Sequence, residues 1–196
     1  MSTLLKTEAS NAAVLKTDRL VLRPLTLADA PAVQTLCGNW NVARMLSVVP
    51  HPYPDGLAET WIAGVATARG RGDDHVFAIE HSGELVGAAG IEKRGDAHEL
   101  GYWIAEAWWG RGLASETATR LVRHAFEDLG LKRLTSGYFD ENLASGRVLE
   151  KCGFRITGKG ELKCVARGRP VPATLVELTA REYAARKRHH DAGDRR

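Results

Sequence analysis

Residues 102–116, YWIAEAWWGRGLASE, constrain this chain more than any other stretch, because a strand ending, a turn and a helix entrance follow one another without a gap. Tyr102, Trp103 and Ile104 close a strand-like run, Gly110 and Gly112 straddle Arg111, and a helical period opens at Leu113. Leu113, Thr117, Leu121, Ala125 and Leu129 recur every four residues, Ala114, Ala118, Val122 and Phe126 widen the stripe, and Gly130 ends it. A following strand is expected over 133–139. Such a unit lays its helix against a sheet. Its turn also leaves the first four helix amides unpaired and facing outward, an arrangement that suits an anion and above all a pyrophosphate. The glycines permit positive φ or let a ligand reach bare backbone. Neither the Gly-Lys-Ser/Thr of a nucleotide P-loop nor G-x-G-x-x-G is present.

The rest of the chain supplies more sheet and more helix. Alternation predicts a strand over 19–23, RLVLR, stopped at Pro24, and a hairpin of 75–80 with 84–92 through His81, Ser82 and Gly83. Residues 98–104, HELGYWI, form the strand that enters the glycine turn. Helices are expected over 32–37 and 57–68, with a short piece inside 39–49 capped by Asn41. VVPHPYPDG, 48–56, is loop. Asn142 caps a helix over 143–151 that Gly153 ends; a strand starts at 154–157, and 161–168 with 173–179 make a closing hairpin around Gly168 and Pro170. The expected class is α/β in the α+β sense, a mixed and mostly antiparallel central sheet flanked by helices. Residues 1–17 read as a loosely held arm that Leu4, Leu5, Val14 and Leu15 can dock, 18–181 as one folded domain, and 182–196 as a short helical end running into a solvated charged tail.

Composition enters mainly through what it excludes. At 196 residues one domain is the default. The formal net charge of +3 lies wholly in residues 181–196, with six Lys/Arg against three Asp/Glu, while the remainder balances at 21 against 21. No general basic face follows, and no direct nucleic-acid function is expected. No apolar run is long enough to span a membrane, and the acidic, interrupted N-terminus does not resemble a secretory signal. Cys37, Cys152 and Cys164 are too few and too scattered for a disulfide framework or a thiolate metal site. A reducing cytoplasm and no metal are expected. Cys152 lacks a His and carboxylate partner and is not read as a nucleophile; His98 and His124 likewise lack partners in any motif.

Several segments, in order along 17–160, carry a family resemblance: TDRLVLRPL, ELVGAAGI, HELGYWI, WWGRGLASET and NLASGRVLEKCGF. Together they resemble the GNAT superfamily of acetyl-CoA-dependent N-acetyltransferases, and within it the branch of RimJ/RimL-like ribosomal-protein N-acetyltransferases. The resemblance implies acetyl-CoA as the acyl donor. It implies that the amides of Gly110, Arg111, Gly112, Leu113 and Ala114, with Ser115 nearby, hold the CoA pyrophosphate. Trp109 stands where Gln or Arg usually opens this cradle, so backbone rather than side-chain contact is expected there. The pantetheine arm is expected to pair with the strand end around Trp103 and Ile104, whose amide can polarise the acetyl carbonyl.

Direct transfer needs a deprotonated amine, a polarised thioester and a proton for the leaving thiolate. Glu99 is the leading base, acting directly or through water; orienting substrate or forming an ion pair is the other reading. Asn142 either bonds the pantetheine arm or caps its own helix. Ser145 is the candidate thiol-protonating residue, because the tyrosine that many superfamily members carry four residues before the closing Gly-Phe pair is replaced here by Leu149. Arg147 and Lys151 are candidate contacts for the adenosine phosphates or solvated helix charges. The acceptor implied is a primary amine, first a protein or peptide N-terminus, with a polyamine, amino sugar or antibiotic as the alternative. A noncatalytic acyl-CoA sensor is a third reading. A homodimer through the edge of the late hairpin is also expected.

Overall fold

The computed structural model describes residues 13–193, with the side chains from 189 onward excepted. The part of the expected arm at 1–12 and the end of the tail at 194–196 lie outside the described residues. Eight strands form one sheet: β1 (Leu15–Lys16), β2 (Val21–Arg23), β3 (Asp74–His81), β4 (Glu84–Arg94), β5 (Ala97–Ile104), β6 (Arg133–Phe139), β7 (Arg155–Cys164) and β8 (Arg169–Thr179). Their order is β1-β2-β3-β4-β5-β6-β8-β7, and every pairing is antiparallel except β5 with β6. Helices α1 (Ala30–Cys37), α2 (Trp40–Ala43), α3 (Leu57–Gly70), α4 (Leu113–Arg123), α5 (Leu143–Cys152) and α6 (Ala180–Gly193) cover it. The mixed, mostly antiparallel sheet flanked by helices is the expected class.

Two apolar layers lie on opposite faces of this sheet. Leu113, Ala118, Leu121 and Val122 of α4 and Val148, Leu149 and Cys152 of α5 pack on Ile91, Leu100, Ile104 and Leu134. On the other face Ala30 and Val33 of α1 and Ala58, Ile62 and Val65 of α3 pack on Val76, Ala78 and Leu85. Strand β5 serves both, since successive side chains alternate between faces. Leu100, Tyr102 and Ile104 belong to the α4–α5 side; Trp103 packs with the α1–α3 side.

The parallel pairing of β5 with β6 is short. It holds only His98 with Leu134 and Glu99 with Thr135, after which the strands part. The Ser136 hydroxyl donates to the Leu100 carbonyl at 2.8 Å and closes the vertex of the resulting gap. That gap opens toward the carboxyl end of β5.

Several local expectations change. Leu15 and Lys16, assigned to the arm, pair with β2 as β1, and Leu15 is buried. The cap of α2 is Asn39, whose side chain accepts from the Asn41 amide, and α2 is one turn long. The long helix turns π-helical over His124–Asp128. β7 is one continuous strand that absorbs both the short strand at 154–157 and the first arm of the hairpin, with a register shift between Ile156 and Gly158. The charged end runs as helix to Gly193, tied down by Tyr183 and Lys187 on Glu127 and by Arg186 on the Lys151 carbonyl.

Candidate active site

The glycine turn has the conformation its sequence implies. Gly110 and Gly112 sit at φ +75° and +78°, where an L side chain is strained, and a Cβ on Gly110 would meet nothing within 4 Å. The turn is therefore open as well as bent. α4 begins at Leu113, which is buried, with Ala114 and Ser115 partly exposed behind it. The start of α4 is braced from below by Glu116, which accepts from the Thr17 hydroxyl and from the Arg19 amide and guanidinium. Burial pushes the Glu116 carboxyl up, but those donors outweigh it and hold it below the ordinary range. Arg19 also donates to the Arg111 carbonyl at 3.0 Å, which fixes the turn between the two glycines. The Arg111 guanidinium lies 4.6 Å over the Trp108 ring, so its charge stays on the rim.

Trp109 has a job other than the one its position suggested. It is half exposed, and its indole N–H donates to the Ile104 carbonyl at 2.7 Å, joining the turn to the last residue of β5. The strand edge facing the gap can be read from hydrogen bonds. The Ala105 amide donates to Val86 on β4, while the Leu100 and His98 carbonyls accept from Ser136 and Thr135 on β6. In an antiparallel ladder adjacent residues alternate edges. Trp103 therefore spends its backbone on its partner Ala88, and Tyr102 and Ile104 present theirs to the gap. Of the two positions expected to receive the pantetheine arm, Ile104 turns its backbone to the gap and Trp103 turns its to β4, with Tyr102 facing the gap beside Ile104.

The far wall of the gap is the first turn of α5. Asn142 caps that helix, its Oδ1 accepting from the Ser145 amide at 3.1 Å. Ser145 is partly buried, and its hydroxyl lies 2.9 Å from the Tyr102 hydroxyl. Leu149 is buried in the main core. Arg147 is exposed on a different side of α5, beside Tyr138, Leu143, Phe154 and Ile156, and Lys151 is exposed nearer the helix end. Burial pushes the Cys152 thiol up, against a nucleophilic role.

Glu99 is exposed and stands on the opposite face of β5 from Tyr102, with Thr135 beside it on β6 and Glu92 beside it on β4. Asp74 of β3 pairs with Glu92, so three carboxylates lie in register across adjacent strands. Partial burial holds the Glu92 carboxyl above its ordinary 4.5; Arg94 pulls it down, but Asp74 and Glu99 add to the upward push. The native state thus binds this proton more tightly than the unfolded chain, and ionising Glu92 as pH rises above 4.5 costs stability. Glu92→Gln is expected to unfold at a higher temperature than the parent at pH 7, with the difference closing toward pH 4; a variant that unfolds earlier at pH 7 contradicts the assignment.

A strap missed by local pattern roofs the same end of the gap. Asn39 and Asn41 both donate to the Glu106 carboxylate, at 2.7 and 2.8 Å, just before the glycine turn. Six residues on, the Ser47 carbonyl accepts from Val165, while Arg44 pairs with Glu141 at 3.2 Å and offers its carbonyl to Arg167. The segment thereby crosses from the end of β5 to the turns after β6 and β7. Only the asparagines' closeness to one another was visible in sequence.

Comparison with known proteins places this geometry. A family model described as an acetyltransferase (GNAT) domain matches residues 19–155. The N-acetyltransferase YoaA of Bacillus subtilis is 33% identical over 153 residues, 74% of this chain and 84% of that protein. The [ribosomal protein uS5]-alanine N-acetyltransferase of Escherichia coli is 26% identical over 182 residues, 86% of this chain and 92% of that one. Among solved structures, Mycobacterium smegmatis RimJ in complex with CoA-disulfide superposes with a TM-score of 0.74 at 24% identity, covering 87% of this chain and 89% of that one. With an open glycine turn ahead of α4 and a strand edge left free beside it, the chain belongs to the GNAT family of acetyl-CoA-dependent acetyltransferases.

Proposed function

We propose that this enzyme transfers the acetyl group of acetyl-CoA directly to the N-terminal amine of a protein or peptide. The observation that carries the reading is the two-sided gap. The glycine turn, Tyr102, Ile104 and Ser145 lie toward its α4–α5 side, and Glu99 and Gly101 open on the α1–α3 side. Donor and acceptor can therefore approach from opposite faces and meet between β5 and β6. Gly101 is exposed and a Cβ there would touch nothing within 4 Å, which leaves room for an extended chain end.

In this reading the amides of Gly110 to Ala114 hold the pyrophosphate, with Ser115 beside them, and the Tyr102 and Ile104 amides orient the thioester. A fixed amide aimed at the carbonyl oxygen stabilises the charge that develops there. Glu99 lies three residues before Tyr102, about 10 Å along the strand, so it takes the amine proton through water. The C–N bond forms and the C–S bond breaks with its electron pair on sulfur. Sulfur takes up the Ser145 proton, and the serine regains one from bulk water. The free outer edge of β7 is where a second copy would pair, and the three buried free cysteines agree with a reducing cytoplasm.

The carboxylate row of Asp74, Glu92 and Glu99 favours a second reading, a cationic small amine. Thiol release measured over peptides with varied N-terminal residues, polyamines and aminoglycosides separates the two. Turnover on unblocked peptides, abolished by prior N-terminal acetylation, is expected; turnover confined to polyamines or aminoglycosides overturns the protein-amine assignment.

A further inference from the structure

Local sequence pattern gave Tyr102, which stands at the gap, no role beyond closing a strand. Its ring packs against the main core on the α4–α5 side, and its hydroxyl reaches the first turn of α5. There it lies 2.9 Å from Ser145 Oγ and 3.4 Å from the Ser145 carbonyl oxygen. The Ser145 amide is already committed to Asn142. The serine is therefore held from its backbone by the cap and from its hydroxyl by the phenol.

Two hydroxyls this close share one hydrogen, and the direction of that bond decides what the serine can do. If Ser145 donates to Tyr102, its proton is turned into the protein. If the phenol donates, the serine hydrogen is free to face the gap. A phenol is a stronger acid than an aliphatic alcohol and so the better donor of the two. Burial also pushes the Tyr102 phenol up, so it keeps its proton wherever the protein is folded and working.

We propose that Tyr102 is a positioning residue for thiol release: its O–H donates to Ser145 Oγ and aims the serine hydrogen into the β5–β6 gap, at the departing sulfur. This rests on the reading of Ser145 as the proton donor. Tyr102 keeps its own proton because water hands one to Ser145 Oγ as the serine proton passes to sulfur, so no alkoxide forms beside the phenol. A phenylalanine at 102 would fill the same volume and remove only the orienting bond.

The test is a double-mutant cycle on Tyr102→Phe and Ser145→Ala, reading acetyl-CoA affinity by calorimetry and thiol release at saturating amine. Both single variants are expected to bind acetyl-CoA within about twofold of the parent, since each leaves the glycine turn and the β5 edge intact. Ser145→Ala should lower kcat about 100-fold, within the range for a lost general acid. Tyr102→Phe should lower it about 10-fold, and the double variant should be no slower than Ser145→Ala alone, because orienting an absent hydroxyl has no value. Losses that multiply in the double variant, or an unchanged kcat in Tyr102→Phe beside a slowed Ser145→Ala, overturn the positioning role and leave Ser145 standing. An unchanged Ser145→Ala removes the serine as proton donor and the positioning role with it.

Discussion

Glu99→Gln is expected to slow turnover about 100-fold, the low end of what a general base contributes, while acetyl-CoA binds as before. Glutamine preserves the shape of the side chain and its place beside Thr135 and Glu92, but it cannot accept the amine proton. The low end applies because Glu99 is exposed and, on the proposed route, acts only through water. Cofactor affinity should be spared because Glu99 projects from the face of β5 opposite Tyr102 and Ile104. The deficit should also depend on pH. As pH rises the acceptor amine sheds its proton unaided, so the ratio of parent to variant rates should narrow. A ratio of one across the whole range would show that Glu99 orients substrate or serves the carboxylate row and takes no proton.

The parts of this site legible in sequence are those set by neighbours along the chain. Gly110 and Gly112 lie two residues apart at a helix entrance, and the period from Leu113 announces the helix they open. Asn142 and Ser145 are three residues apart and meet across one turn as a cap. What escaped depends on sheet register. Tyr102 and Ser145 are 43 residues apart in the chain, and Arg19 and Glu116 are 97 apart. Alternation along HELGYWI separates its two faces, but which strand edge is paired and which is free depends on β4 lying beside it in a particular register. Sequence alone therefore points to the strand end around Trp103 and Ile104, and only the register with β4 shows that the Trp103 backbone faces away from the gap. Residues 154–164 look like two pieces because Gly158 and Gly160 interrupt the pattern, yet β8 pairs along the whole length and holds it as one strand.

Gly87→Ala is expected to damage both stability and cofactor binding, from a position with no chemistry of its own. Gly87 sits in β4 opposite Ile104, and an added Cβ would fall on the Trp103 carbonyl oxygen, with Ile104 Cα 3.1 Å and Ile104 Cδ1 3.2 Å away. Two of those three atoms are backbone, so no side-chain rotation relieves the clash; the end of β5 must move. Overpacking of this kind costs about 1–3 kcal/mol, enough to lower the unfolding midpoint by several degrees. The displaced residues include Ile104, whose amide faces the gap and whose carbonyl holds the Trp109 indole, so the shift passes directly into the glycine turn. Acetyl-CoA affinity should fall at least about 10-fold, the equivalent of 1.4 kcal/mol. Gly101→Ala supplies the contrast, because its Cβ would meet nothing within 4 Å and its φ is not positive. That variant should fold and bind acetyl-CoA normally while raising KM for the acceptor, since its methyl projects on the face that Glu99 shares. If Gly87→Ala binds acetyl-CoA as tightly as the parent, the end of β5 is not part of the cofactor site, and the path drawn from strand edge to glycine turn is wrong.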